Sequence, residues 1–184
     1  MRNRSVFLAL AALVVVGCTL VYSAKSSAAV DSISIRMWDN CDPASFNEAV
    51  GPDTCIPGAH GTELFSLFIQ EVTLDKIAGA WRFGSTKYTL SQGSNTKLDN
   101  HGGELHTFTK VKDFGGGFVE VLNKLSGNPI PAPECLQPEN SASIFVEAGT
   151  VEDGPVAGSA TLPVGSTKIM CCVHPWMRTI VTVK

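Results

Sequence analysis

The sequence predicts an all-β fold: a sandwich of short strands, preceded by a short helix-containing N-terminal extension. Three observations carry this. From Ala80 onward, short apolar and aromatic runs follow one another between Gly, Pro, Asn and Asp, the punctuation expected of a sandwich or barrel. Ser32-Ile-Ser-Ile-Arg-Met37 alternates apolar with polar, the two-residue period of a half-buried strand. Between these regions the apolar spacing is helical. The chain divides on this reading into residues 1–28, a signal or tether; 29–76, the extension; and 77–184, the sandwich domain.

The elements follow in order. Arg2 and Arg4 precede the apolar stretch Val6 to Gly17, which is short for a membrane span and reads as an export signal. Two cleavage readings stand side by side. Val15-Val16-Gly17-Cys18 has the form of a bacterial lipobox, which would make Cys18 a lipid-carrying membrane tether. Small residues near Ala24 or at Ser27-Ala28-Ala29 offer ordinary cleavage instead. After the first strand, Asp42-Pro43 reads as an N-cap followed by proline at the first helical position, with Gly51 ending a short helix. Cys41 and Cys55 bracket this turn, and a disulfide between them would contribute about 3 kcal/mol by constraining the unfolded chain. Gly61 to Asp75, with Leu64, Phe65, Leu67, Phe68 and Val72, has the spacing of a helix packed on a core.

Beyond Ala80 the expected strands are Trp81–Phe83, Tyr88–Leu90, Thr96–Leu98, His106–Val111, Ser143–Val146, Ala157–Leu162, Thr167–Cys172 and Thr179–Val183. Gly115-Gly-Gly117 and the Pro-rich stretch from Asn128 to Asn140 interrupt them. No internal repeat occurs.

Charge and cysteine count narrow the function. The formal charge of the 184-residue chain is −3; cleavage before Cys18 removes two arginines and no acid, taking it to −5. With no basic patch, nucleic acid is excluded as a partner. Export places the chain outside the cytoplasm, where cysteines pair. Cys41, Cys55, Cys135, Cys171 and Cys172 remain after Cys18, an odd set that leaves one thiol for other work.

That work points to Lys168-Ile-Met-Cys-Cys-Val-His-Pro-Trp-Met-Arg178. Cys171, His174 and Met177 are spaced by two residues each, and a thiolate, an imidazole and a thioether on one loop form a soft donor set suited to copper. A blue-copper centre needs a second imidazole from elsewhere in the fold. His106, at a strand entrance, is the expected one and His101 the reserve; His60 sits in a Gly-rich loop. A structural zinc site would call for a second thiolate rather than a thioether.

"NHGGELHTFTKV" and, far downstream, "CCVHPWMRTIVTVK" resemble the cupredoxins, the small blue copper proteins. The ligand loop is most similar to the amicyanin- and plastocyanin-like pattern Cys-x-x-His-Pro-x-Met, matched here by Cys171, His174, Pro175 and Met177. Asn100, six residues before His106, matches the asparagine that commonly precedes the first ligand. The resemblance spans roughly Ala80 to Lys184 and leaves Asp31 to Lys76 unaccounted for. It implies a Greek-key sandwich, one type 1 copper per chain on His106, Cys171, His174 and Met177, and one-electron transport as a monomer. Family spacing makes Cys171 the ligand rather than Cys172. Cys172 is then available to pair with Cys135, although other connectivities, or a free buried thiol, remain open. Pro175 and Trp176 would form an apolar collar where redox protein partners dock near His174.

Copper enzymes fit poorly. Multicopper oxidases, copper nitrite reductases and copper–zinc superoxide dismutase need more histidines than the four present. A binuclear copper centre would need a wider cysteine spacing. The alternative is a copper-binding chaperone or storage protein, or a non-redox β-sandwich binding module. Chaperones and stores typically expose Met- and His-rich tracts, and this chain has four of each residue.

Overall fold

The computed structural model describes residues 31–56, 61–136 and 143–184. The expected signal segment with Cys18, His60, and the end of the Pro-rich stretch lie outside the described residues.

Two sheets face one another. The first contains β1 (Ser32–Trp38), β2 (Arg82–Phe83), β4 (Asn95–Asn100) and β7 (Val151–Asp153), in the order β2-β1-β4-β7. The second contains β3 (Lys87–Leu90), β5 (His106–Val111), β6 (Ser143–Val146), β8 (Gly165–Met170) and β9 (Arg178–Val183), in the order β3-β9-β8-β5-β6. Both sheets are mixed: β1 runs parallel to β4, with Ile35 opposite Leu98, and β3 runs parallel to β9. Period-2 patterning does what it predicts. Ile35 and Met37 of β1, Leu98 of β4, and Val181 and Val183 of β9 turn inward onto Phe108 and Ile169. Each such side chain taken fully out of water stabilises the fold by about 1.5–3 kcal/mol.

β5 is buried on both faces, and this sets up the site. Its inward face carries His106 and Phe108. Outward, Val111 packs with Ala132, Cys135, Met170 and Cys172 in a second, smaller apolar cluster. The helical turn α4 (Pro133–Leu136) brings Cys135 there, and the Cys135–Cys172 disulfide closes the cluster.

The segment before Lys76 adds β1 and two helices. In α1 (Pro43–Ala49), Asp42 caps the N-terminus by accepting from the Ser45 N–H at 2.8 Å, and Gly51 turns the chain beyond it at φ 145°. The Cys41–Cys55 disulfide closes this turn. Helix α2 (Phe65–Asp75) begins four residues later than expected, because Leu64 stays extended as its N-cap. Lys76, in the left-handed region at φ 68°, ends it.

Other departures from expectation are local. Ala157–Leu162 is a turn rather than a strand: Gly158 takes φ 89° and its N–H donates to the Leu162 carbonyl. β7, one edge of the first sheet, was not expected: it is exposed throughout and has no apolar period to betray it. β8 stops at Met170, so Cys171 and Cys172 begin the following loop. A helix, α3 (Glu120–Leu125), also stands where no helix was expected.

Candidate metal centre

The entrance of β5 and the loop from β8 to β9 meet at one end of the sandwich. The loop is clamped by its own backbone: Cys171 N–H donates to the Met177 carbonyl at 3.0 Å, and Met177 N–H to the His174 carbonyl at 2.9 Å. Arg178 holds it from outside, donating to the carbonyls of Pro175 and Gly115 and to Asn128 Oδ1. Asn100 shapes the opposite side. It donates to the carbonyls of Glu104 and Val146 and accepts the Gly102 N–H, pinning the turn that leads into His106.

These constraints bring His106, Cys171 and His174 together, with one donor atom from each within 4.8 Å of the others and all three residues buried. Cys171 Sγ lies 3.9 Å from His106 Nδ1 and accepts the Thr107 backbone N–H at 3.3 Å. His174 Nδ1 is buried without a hydrogen-bond partner. A buried ring nitrogen left unpaired costs free energy unless something takes its lone pair, and a metal ion does. Met177, whose thioether the sequence pattern adds to the set, is buried on the same loop.

The electrostatics suit a cation acceptor. Burial pushes the Cys171 thiol up, but the hydrogen bond with His106 and the charge of the two neighbouring imidazoles outweigh it and hold the thiol well below its usual range. Burial likewise opposes the charged form of His106, yet Asp39 and Cys171 raise it. Metal ligation requires a deprotonated thiol, and this site favours one before any metal arrives. Two imidazoles and a single thiolate match the preferences of copper more closely than those of structural zinc.

Cys171 is the free cysteine among the described residues, and Cys172 pairs with Cys135. His101, the reserve ligand, stands apart: it stacks on Trp38 at 4.4 Å and pairs with Asp99 at 2.9 Å.

Sequence reasoning missed the groups behind the donors. Asp39, at the end of β1, has Oδ2 3.0 Å from His106 Nε2 and accepts the N–H groups of Gly103 and Glu104. Glu104 Oε2 lies 3.5 Å from His174 Nε2 and accepts from Trp81 Nε1. Burial pushes the Glu104 carboxyl up against the opposing charge of His174. Glu104 sits two residues before His106, a proximity the sequence displays; nothing in the sequence marks Asp39. The His174 ring is 1% exposed. Phe68 of α2 and Trp81 stand 6.3 Å from it and Trp176 5.6 Å, so the segment before Lys76 contributes Phe68 to an aromatic roof over the imidazole.

No protein-family model matches this sequence, and no curated protein does. Solved structures similar to the chain include the following. A purple cupredoxin from Nitrosopumilus maritimus shares 13% identity over 83% of this chain and 99% of its own, with a TM-score of 0.42. Auracyanin B shares 13% over 84% and 88%, with a TM-score of 0.36. A point mutant of amicyanin in its Cu(I) form shares 14% over 58% and 76%, with a TM-score of 0.35. The fold itself is a β-sandwich of two mixed sheets. At these identities and scores, the donor geometry carries the reading of the site.

Proposed function

We propose that this chain is a type 1 copper protein, holding one copper on His106, Cys171, His174 and Met177 and carrying single electrons between redox proteins outside the cytoplasm. The observation that carries this is the convergence of two imidazoles and a free cysteine in a buried pocket, with one imidazole nitrogen unpartnered. Bound copper supplies a one-electron couple. The protein's part is rigidity: the clamped 171–177 loop, the Thr107 N–H on the sulfur and Asp39 behind His106 keep the donors in place and the sulfur's charge stabilised. On this reading the chain is a carrier rather than an enzyme. The partners dock on the Trp176 side, the chain acts as a monomer, and Cys18 or simple export sets its location.

The test is the visible spectrum of the purified chain after adding Cu(II), beside Cys171→Ser. An intense blue or violet band, bleached by reductant and absent from the variant, is expected. A colourless copper complex, or a band that survives in Cys171→Ser, overturns the assignment and leaves the storage or non-redox binding reading in its place.

A further inference from the structure

A cavity of about 230 Å³ opens beside the His174 imidazole, between α1, α2 and α3. Phe46, Phe65, Phe68 and Leu122 line it, while Val50 and Val121, 60% and 58% exposed, form its solvent side. Its inner end is different. There His174 and Glu104 line the wall, 1% and 8% exposed.

We propose that this cavity is a binding site for a small uncharged aromatic molecule bearing one N–H or O–H donor. Size comes first. An apolar protein cavity of about 150 Å³ stays dry and takes up benzene, so on that scale this one accommodates about nine non-hydrogen atoms, a fused bicyclic ring. The walls then set the class. Phenylalanine faces and aliphatic branches offer contact to a flat apolar body, and transfer of such a body from water is favourable by about 25 cal/mol per Å² buried. A charged ligand would lose its hydration against these walls with no opposite charge to replace it except the Glu104 carboxyl. Glu104 supplies the polar point. One of its oxygens already accepts from an indole N–H, that of Trp81, and a carboxyl group has acceptor sites to spare. The Cys41–Cys55 disulfide and the reciprocal bonds between Asn47 and the Cys55 backbone stiffen the wall built from α1, so the cavity is preformed.

The occupant would lie against the outer face of His174. This consequence rests on the copper reading; the binding itself does not. The site would then link a dissolved small molecule to the environment of the metal ligand.

Indole is the probe, with indene as its isostere lacking the N–H. Each is titrated into the metal-free full chain while backbone amide resonances are followed by NMR. Saturable shifts of Val121, Leu122 and Val173 with indole are expected, with indene about tenfold weaker for loss of one hydrogen bond. Val121→Trp, which places a bulky ring on the solvent side, should weaken indole binding at least about tenfold at an unchanged melting temperature. Absence of saturable shifts at millimolar indole, or equal binding to wild type and Val121→Trp, overturns the site. Equal binding of indole and indene overturns the donor requirement. If indole binds and added copper gives no blue band, the copper reading fails and the cavity stands. If the blue band forms and indole does not bind, the reverse holds.

Discussion

Asp39 Oδ2 stands 3.0 Å from His106 Nε2, and both side chains are almost wholly buried. Burial alone would push the Asp39 carboxyl up. His106 and the N–H groups of Gly103 and Glu104 outweigh that and hold it below its ordinary range. With the Nε2 hydrogen given to Asp39, Nδ1 is left toward Cys171 Sγ, 3.9 Å away. Asp39 therefore sets the tautomer and ring plane of a donor it does not share. Asp39→Asn should lower copper affinity about 10–100-fold, measured by competition with a chelator of known strength. Gly102→Ala should act in the same direction, since a Cβ there would run into the Asp39 carboxylate. Affinity unchanged in both variants would remove Asp39 from the site's design.

Trp81 tests the second buried acid. Its N–H is a hydrogen-bond partner of Glu104 in an almost dry setting. Trp81→Phe keeps most of the ring and removes the donor, leaving the carboxyl under-satisfied. A loss of about 1–3 kcal/mol in urea unfolding is expected. Glu104→Gln added to Trp81→Phe should recover part of it, because an amide costs less to bury than a charge. If the single change is neutral, the contact contributes nothing to stability.

What the sequence displays here depends on the range of the interaction. The donor loop and the β5 entrance are legible because Cys171, His174 and Met177 are local in sequence and the strand patterns on either side have period 2. Counting thiols leaves one cysteine over but does not choose among the pairings; the Cys135–Cys172 bond is chosen by the fold. Other features arise between distant segments. Asp39 reaches His106 because β1 lies parallel beside β4, a register no local pattern encodes. α3 and α4 stand among glycines and prolines whose usual reading is loop, and their faces are apolar only toward neighbours from other parts of the chain. The roof over His174 needs Phe68, Trp81 and Trp176; the sequence places Trp176 near His174, but Phe68 and Trp81 come from α2 and from just before β2, far from it along the chain.

The two disulfides should differ in weight. Cys135–Cys172 spans 37 residues and Cys41–Cys55 spans 14. In the loop-entropy description these separations correspond to about 4 and about 3 kcal/mol, respectively. Replacing each pair by alanine and following urea unfolding should show the larger loss for Cys135→Ala/Cys172→Ala. That variant should also broaden the copper band, since Cys172 is covalently next to the donor Cys171. An equal or reversed order would mean that the unfolded chain is not the main seat of either effect.

Glu63 gives the fold a pH dependence away from the donors. It is half-buried beside α2, with Oε1 buried and lacking a hydrogen-bond partner. Burial first, and the charge of Glu71 second, push its carboxyl up to about 7 from an ordinary 4.5. Between those values the folded chain holds a proton that the unfolded chain has released. Stability must therefore fall as pH rises through this window and level off above about 7. Because the group is partly open to solvent, the effect is a screened one. Glu63→Gln should melt with wild type near pH 4 and about 2–4 °C above it at pH 8, a shift of the size that 1 kcal/mol produces in a chain this long. Parallel melting curves across that range would show that Glu63 is solvated and ionises normally, and that its closeness to Glu71 costs nothing.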